Sequence, residues 1–243
     1  MGTEVSKVEK FELAVKTAHS VDLFENTSAA FGAAMAIKGL KEILTDELMK
    51  ETFMPLMNTR VGFMTDKPTK NAPNQYYTVE EVRNCLIDGI CIGLLPTGNQ
   101  INIIAGRMYP TKEGYTALLK KVGVKYVINI GQDLSQSPTV AELKVRIDYE
   151  YKGEKNVFPY TAQLKKTDYT GIDQLKGKAE RRAKKALFEY LTGCDLGEGD
   201  ASEPIDAKAT IIETKVNTSE NKFNPESLTE AKKEQTPTQT KLV

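Results

Sequence analysis

The chain contains no tryptophan, a single histidine and only three cysteines in 243 residues, and each scarcity removes a class of chemistry. His19 stands alone in a polar N-terminal stretch, so histidine-based acid–base or metal chemistry has no candidate. Cys85, Cys91 and Cys194 are too few and too scattered for a disulfide framework, which fits a reducing compartment. No four Cys/His residues fall at the short spacings of a structural zinc site. Cys85 and Cys91 lie six apart in an apolar helical pattern, on different sides of the helix, and read as small core hydrophobes. No run approaches the roughly 20 apolar residues of a membrane span, and MGTEVSKVEK has no apolar signal core. Met1-Gly2 with Ser6 meets the short myristoylation pattern, a match too cheap to carry weight, and a cytoplasmic protein is expected. Gly177-Lys178 lacks the preceding glycine-rich loop of a phosphate-binding Walker motif, so ATP-driven chemistry is disfavoured and no cofactor is expected.

What the chain does have is an uneven charge distribution. The net charge is zero. Residues 1–100 hold 10 Lys+Arg against 13 Asp+Glu, residues 101–192 hold 17 against 10, and residues 193–243 hold 6 against 10. A basic middle of net +7 therefore sits between two acidic ends and favours a polyanionic partner.

Local patterns predict an α+β fold, with helices packed on a small antiparallel sheet. Residues 1–27 are expected to be loosely ordered, 28–196 to form one α+β domain, and 197–243, rich in Ser, Thr, Glu, Lys, Asn and Pro, to be a disordered tail. A small-residue helical face runs from Ser28 to Leu40, and Thr45-Asp46-Glu47 restarts a helix. Thr78-Val79-Glu80-Glu81 has the form of a capping box opening a helix through Leu94. Ile101–Ile104 is a β-branched run leading to Gly106-Arg107-Met108-Tyr109, after which Pro110-Thr111-Lys112-Glu113-Gly114 opens another helix. Lys125–Ile130 alternates weakly, Val140–Tyr151 alternates clearly, Lys152–Lys155 is a turn, and Val157–Lys166 returns as the partner strand. A long helix over 174–191 stops at Thr192-Gly193.

Two groups of residues are candidates for binding an anionic polymer. On the long helix, Lys178, Arg181, Arg182 and Lys185 fall at spacings of three, four and seven and line one side, opposite Ala179, Ala183, Ala186 and Leu187. Such a front suits a phosphate backbone, because each neutralised phosphate releases counterions; a solvated face that binds nothing is the plain alternative. Arg107, Tyr109, Lys112 and Tyr115 form the second group, where a ring could stack on an unpaired base and the cations could meet phosphates; equally, the two tyrosines could be core rings. A third constellation, Asp133, Glu142 and Lys144, has the carboxylate, carboxylate-x-Lys order of Mg²⁺-dependent nucleases, although Glu-x-Lys on the wet face of a strand is common.

The succession GICIGLLPTGNQINIIAGRMYPTKEGYTALLKKVG resembles the core of the RecT/Redβ phage single-strand annealing proteins: an apolar helix ending in Gly-Leu-x-Pro, a short hairpin, then a helix opening at Gly-Tyr. GKAERRAKKALFEYLTG resembles their later basic helix, and LMNTRVGFMTD a block of small phage proteins of the same recombination group. The likeness covers roughly residues 50–193 and is one of order and spacing. It implies ATP-independent annealing of complementary single strands, with single-stranded DNA and an annealed duplex intermediate as ligands. It also implies homo-oligomeric rings or filaments, and work beside a phage exonuclease and a host single-strand-binding protein in the bacterial cytoplasm. Carried over by position, the contacts fall on Lys178, Arg181, Arg182 and Lys185, with Arg107, Tyr109 and Lys112 on the hairpin side. The chain is short after Gly193, so a folded C-terminal partner module is not expected. With catalytic and metal sites both absent from this reading, a passive single-strand coat and the nuclease are the alternatives.

Overall fold

Alternation of apolar and charged residues from Ala141 to Tyr151 produces a 12-residue strand and fixes the sheet around it. A computed structural model describes residues 6–20, 27–135, 137–167 and 169–196; the tail expected at 197–243 lies outside the described residues. Strand β5 (Val140–Tyr151) pairs antiparallel with β4 (Lys125–Asp133) on one side and β6 (Glu154–Lys165) on the other. Leu143, Val145, Ile147 and Tyr149 are buried on one face together with Phe158, Ala162 and Leu164, while Lys144 and Arg146 stand on the wet face. Lys152 and Gly153, with φ of 52° and 84°, make the tight two-residue turn between β5 and β6. Helix α6 (Ile172–Thr192) packs against β5 and β6, burying Leu175, Ala179, Ala183, Leu187 and Phe188. It ends where Gly193 takes the left-handed conformation.

A second three-stranded sheet is formed by β1 (Met64–Thr65), β2 (Ile101–Ile104) and β3 (Arg107–Pro110), with β1 parallel to β2 and β2 antiparallel to β3. Ala105 and Gly106, with φ of 51° and 74°, form the hairpin turn. Helix α4 (Val79–Ile92) packs on this sheet. Thr78 and Glu81 make the reciprocal capping box, with Thr78 N–H donating to Glu81 Oε2 at 2.7 Å and Glu81 N–H to Thr78 Oγ1 at 3.2 Å. Gly93, at φ 97°, closes the helix. Helix α5 (Lys112–Lys121) follows β3 directly and leads to β4. The fold is thus mixed α+β, but with two small sheets in place of the single sheet expected, one of them carrying a parallel pair. That pairing joins residues 38 apart and leaves no local pattern in a two-residue strand.

The N-terminal part also departs from expectation. Residues 1–27 read as loose in sequence, yet Lys7–Ser20 form helix α1, which packs on α2 (Thr27–Ile43) and α4. Phe11, Ala14, Val15 and Ala18 give it a helical apolar stripe, with the Phe11 ring 5.5 Å from that of Phe53 and Ala18 fully covered. The stripe is narrow and crowded by charges, which is why it looks polar in sequence. Beyond α2, Thr45 caps α3 (Asp46–Leu48) by accepting from Leu48 N–H at 3.3 Å. That turn runs on through a π-helical segment, Met49–Phe53, to the short turn Met54–Leu56.

Candidate nucleic-acid interface

The hairpin tip is oriented by residues from outside the hairpin. Asp66 accepts the Ala105 N–H at 3.0 Å through Oδ2 and the Tyr77 hydroxyl at 2.6 Å through Oδ1. The same hydroxyl accepts the Gly106 N–H at 2.9 Å. Burial and the adjoining carboxylate push the Tyr77 phenol up to about 12, so it stays a donor to Asp66 at any ordinary pH. These bonds fix both residues of the turn, and Arg107, which follows at once, is exposed.

At the other end of β3 the chain is pinned again. Thr111 caps α5, its hydroxyl accepting from Gly114 N–H at 3.1 Å and donating to Asn99 O at 2.5 Å. Thr111 N–H donates to Gln100 O at 3.1 Å. Gly114 lies so close to this loop that a Cβ there would stand 2.1 Å from Gln100 O. Only glycine permits that approach, and it sets where Lys112 projects.

Helix α6 meets this edge from a distant part of the chain. The Arg181 guanidinium carbon sits 4.6 Å from the centroid of the Tyr109 ring, a cation–π contact. Lys112 Nζ is 3.7 Å from Glu180 Oε2 and 3.6 Å from Glu113. Beneath them Lys184, only 4% exposed, donates to Glu180 Oε1 at 2.5 Å and to Thr116 Oγ1 at 2.9 Å. Its ammonium also lies 5.5 Å from the Tyr126 ring centroid. The Thr116 hydroxyl accepts from Tyr126 OH at 3.2 Å and donates to Lys112 O at 2.9 Å, so α5, α6 and β4 share one polar cluster.

The candidate residues therefore come together in part. Tyr109, Lys112 and Arg181 come together at the β3–α5–α6 junction, and Arg107 is exposed at the hairpin end of the strand that carries Tyr109. Lys178 is exposed on α6. Arg182 turns to the sheet, donating to the Gln163 carbonyl at 2.6 Å, and Lys185 pairs with Glu189 at 3.4 Å. Burial holds the Glu189 carboxyl above its usual range, against the pull of Lys185. Tyr109 is 8% exposed and its ring meets Arg181, so that ring supports a cation and is not itself a platform for a base. Tyr115 is a core ring, 6.4 Å from Phe188. Lys184, which the spacing leaves off the basic front, is a buried structural group whose partners Thr116 and Tyr126 come from other elements.

The acidic constellation is differently employed. Asp133 Oδ1 accepts the N–H groups of Glu142 at 2.9 Å and Ser135 at 3.0 Å, and Oδ2 takes Lys166 Nζ at 3.1 Å. Those bonds hold its carboxyl below the usual carboxylate range. A carboxylate so occupied is a loop anchor, which weakens its candidacy as a metal ligand, and Lys144 stands on the wet sheet face.

Among the described residues no helix is long and apolar enough to cross a membrane. No protein-family model, curated protein or solved structure matches this chain.

Proposed function

We propose that this protein binds single-stranded DNA and anneals complementary strands without ATP, as a RecT/Redβ-like annealing protein of phage recombination. The observation that carries the reading is the junction of β3 and α5 with α6. Residues some 70 positions apart, Tyr109 with Arg181 and Lys112 with Glu180, meet to form a single basic edge within the net +7 stretch. Electrostatics supplies affinity without base preference, and pairing between strands supplies sequence choice. Arg107, Lys112, Lys178, Arg181, Arg182 and Lys185 contact phosphates, directly or after small side-chain shifts, and Tyr109 steadies Arg181. Copies of the chain assemble along the strand, and a phage exonuclease and a host single-strand-binding protein are the partners expected to supply and protect it.

The test is an annealing time course of complementary oligonucleotides with and without protein, in the absence of nucleotide. Acceleration is expected, with affinity falling steeply as salt rises. Binding without acceleration would make the protein a passive coat. Lys178→Glu with Arg182→Glu should abolish binding; because Arg182 also bonds β6, Lys178→Gln alone should lower the salt slope by about 0.7. Retention of full affinity in both variants would overturn the assignment of this edge. Cleavage of a labelled oligonucleotide with Mg²⁺, lost in Glu142→Ala, would replace the reading with the nuclease.

A further inference from the structure

The proposed edge lacks an exposed ring for bases: Tyr109 and Tyr115 are buried. One tyrosine is the reverse. Tyr169 is 95% exposed, against 58% for Tyr76 and 52% for Tyr190, whose ring lies 5.6 Å from that of Phe158. The turn that presents it is tightly bonded. Thr167 N–H donates to Thr170 Oγ1 at 3.1 Å, the two hydroxyls lie 2.7 Å apart, and Thr170 N–H donates to Thr167 O at 2.9 Å. The turn is tied to the sheet by Lys166, whose N–H donates to Thr139 O at 2.7 Å and whose ammonium meets Asp133 at 3.1 Å. An aromatic ring is thus held in water on a braced support, where the fold gains nothing from it.

Its setting is net cationic, with Lys165, Lys166, Lys176 and Lys178 against Asp168 and Asp173 over residues 165–178. Lys165, exposed, precedes the turn at the end of β6, and Lys176 and Lys178, also exposed, follow it in the first two turns of α6. Ile172, 48% exposed, stands beside the turn in the chain. Aromatic rings with flanking lysines suit a single strand, whose bases all offer a π face and whose backbone is uniformly anionic. A protein partner would be favoured by a broader apolar surface carrying fewer like charges.

We propose that Tyr169 is a base-stacking residue, which takes an unpaired base of a single strand at the N-terminal end of α6 and leads its backbone onto the Lys178 side of that helix. The assignment rests on the single-strand-binding reading above and adds to it the one contact that phosphate recognition cannot supply: discrimination of an unstacked base from paired DNA.

The absence of tryptophan makes the test direct. In full-length protein, Tyr169→Trp introduces a sole indole, and oligo-dT should quench its emission at saturation. An oligonucleotide of the same length made of abasic sites should bind without quenching. Tyr190→Trp serves as a control that stays unquenched. Tyr169→Ala should weaken oligo-dT binding by about 5- to 150-fold, the range of one base–aromatic stack, with an unchanged salt slope, and Tyr169→Phe should restore it. Unquenched emission of the Tyr169→Trp variant at saturation, or equal affinity of Tyr169→Ala and wild type, would overturn the assignment while leaving annealing by the basic edge intact. If Tyr169→Ala instead disperses an assembly seen by sedimentation and leaves affinity per subunit unchanged, the ring is a contact between copies and the assignment also fails. Failure of the wild type to bind oligo-dT at all would refute the underlying reading itself.

Discussion

Lys184 and Glu180 offer the sharpest energetic test, because the two halves of the pair should respond very unequally. The Lys184 side chain is 5% exposed and the Glu180 side chain 22%. Glu180→Ala keeps a good helix former in α6 but leaves a buried ammonium with Thr116 Oγ1 and the Tyr126 ring as its remaining neighbours. Removing one member of a buried ion pair costs about 3–5 kcal/mol. Water admitted beside the partly exposed Glu180 position relieves some of this, so about 3 kcal/mol is expected, a fall in Tm of about 6–12 °C. Lys184→Met removes the charge itself and keeps the stem packed. Glu180 then retains Lys112 at 3.7 Å and solvent. The expected change is within about 1.5 kcal/mol of zero, and the double variant should resemble Lys184→Met. Urea unfolding followed by circular dichroism measures all three. Equal losses in the two single variants, or a greater loss in Lys184→Met, would refute the view that an unpaired buried charge dominates this cluster.

Gly114→Ala should destabilise by about 1–3 kcal/mol despite alanine's helix propensity, since the added methyl meets the Gln100 carbonyl oxygen, a backbone atom that cannot step aside. A thermal melt checks it, and a stabilised variant would mean that loop 96–100 yields freely. Tyr77→Phe removes one hydroxyl that serves both Asp66 and Gly106; a loss of about 1–3 kcal/mol is expected, with faster hydrogen exchange at the Gly106 amide as the local readout. Glu189 has a native pKa raised by burial, above an unfolded value of about 4.3. The native state therefore holds the proton more tightly, and stability falls as pH rises from the unfolded value through the native one. Glu189→Gln should flatten that decline, which urea midpoints across the pH range would reveal.

What is legible in the sequence is what is decided locally. The capping box at Thr78 and Glu81, the Gly193 stop and the limits of β5 each depend on residues within a few positions, and the structure has them as expected. Alternation ends β4 at Ile130, whereas the strand continues to Asp133 across a register shift that alternation cannot signal. The basic side of α6 is visible as spacing, but not the division within it. Whether an arginine faces water or a strand carbonyl, as Arg182 does, depends on β6, which meets α6 only after folding. The aromatic component misleads for a related reason. Tyr109 sits amid cations in sequence, and one of its actual neighbours, Arg181, comes from 72 residues later. Tyr169 sits in an unremarkable polar run, Lys166-Thr167-Asp168-Tyr169-Thr170, and only its exposure distinguishes it.

This division bears on how the proposed edge would hold a strand. A flexible cation loses much side-chain freedom when it is fixed on a phosphate, and that loss offsets part of the attraction. Arg181 and Arg182 are half-buried, one lying over the Tyr109 ring and the other bonded to the Gln163 carbonyl. A planar guanidinium held in this way is already oriented, with further N–H groups on the same fork. Lysine at either position would keep the charge but not the stacked plane or the fork. Arg181→Lys should therefore weaken single-strand binding while leaving the salt slope unchanged, since the number of phosphates neutralised is the same. Lys178 is exposed and on this proposal would meet phosphate as a compact point charge, so Lys178→Arg should change binding little. If both exchanges proved equally harmless in a salt titration of oligonucleotide binding, the edge would act as diffuse charge alone, and the Tyr109–Arg181 contact would serve only the packing of α6.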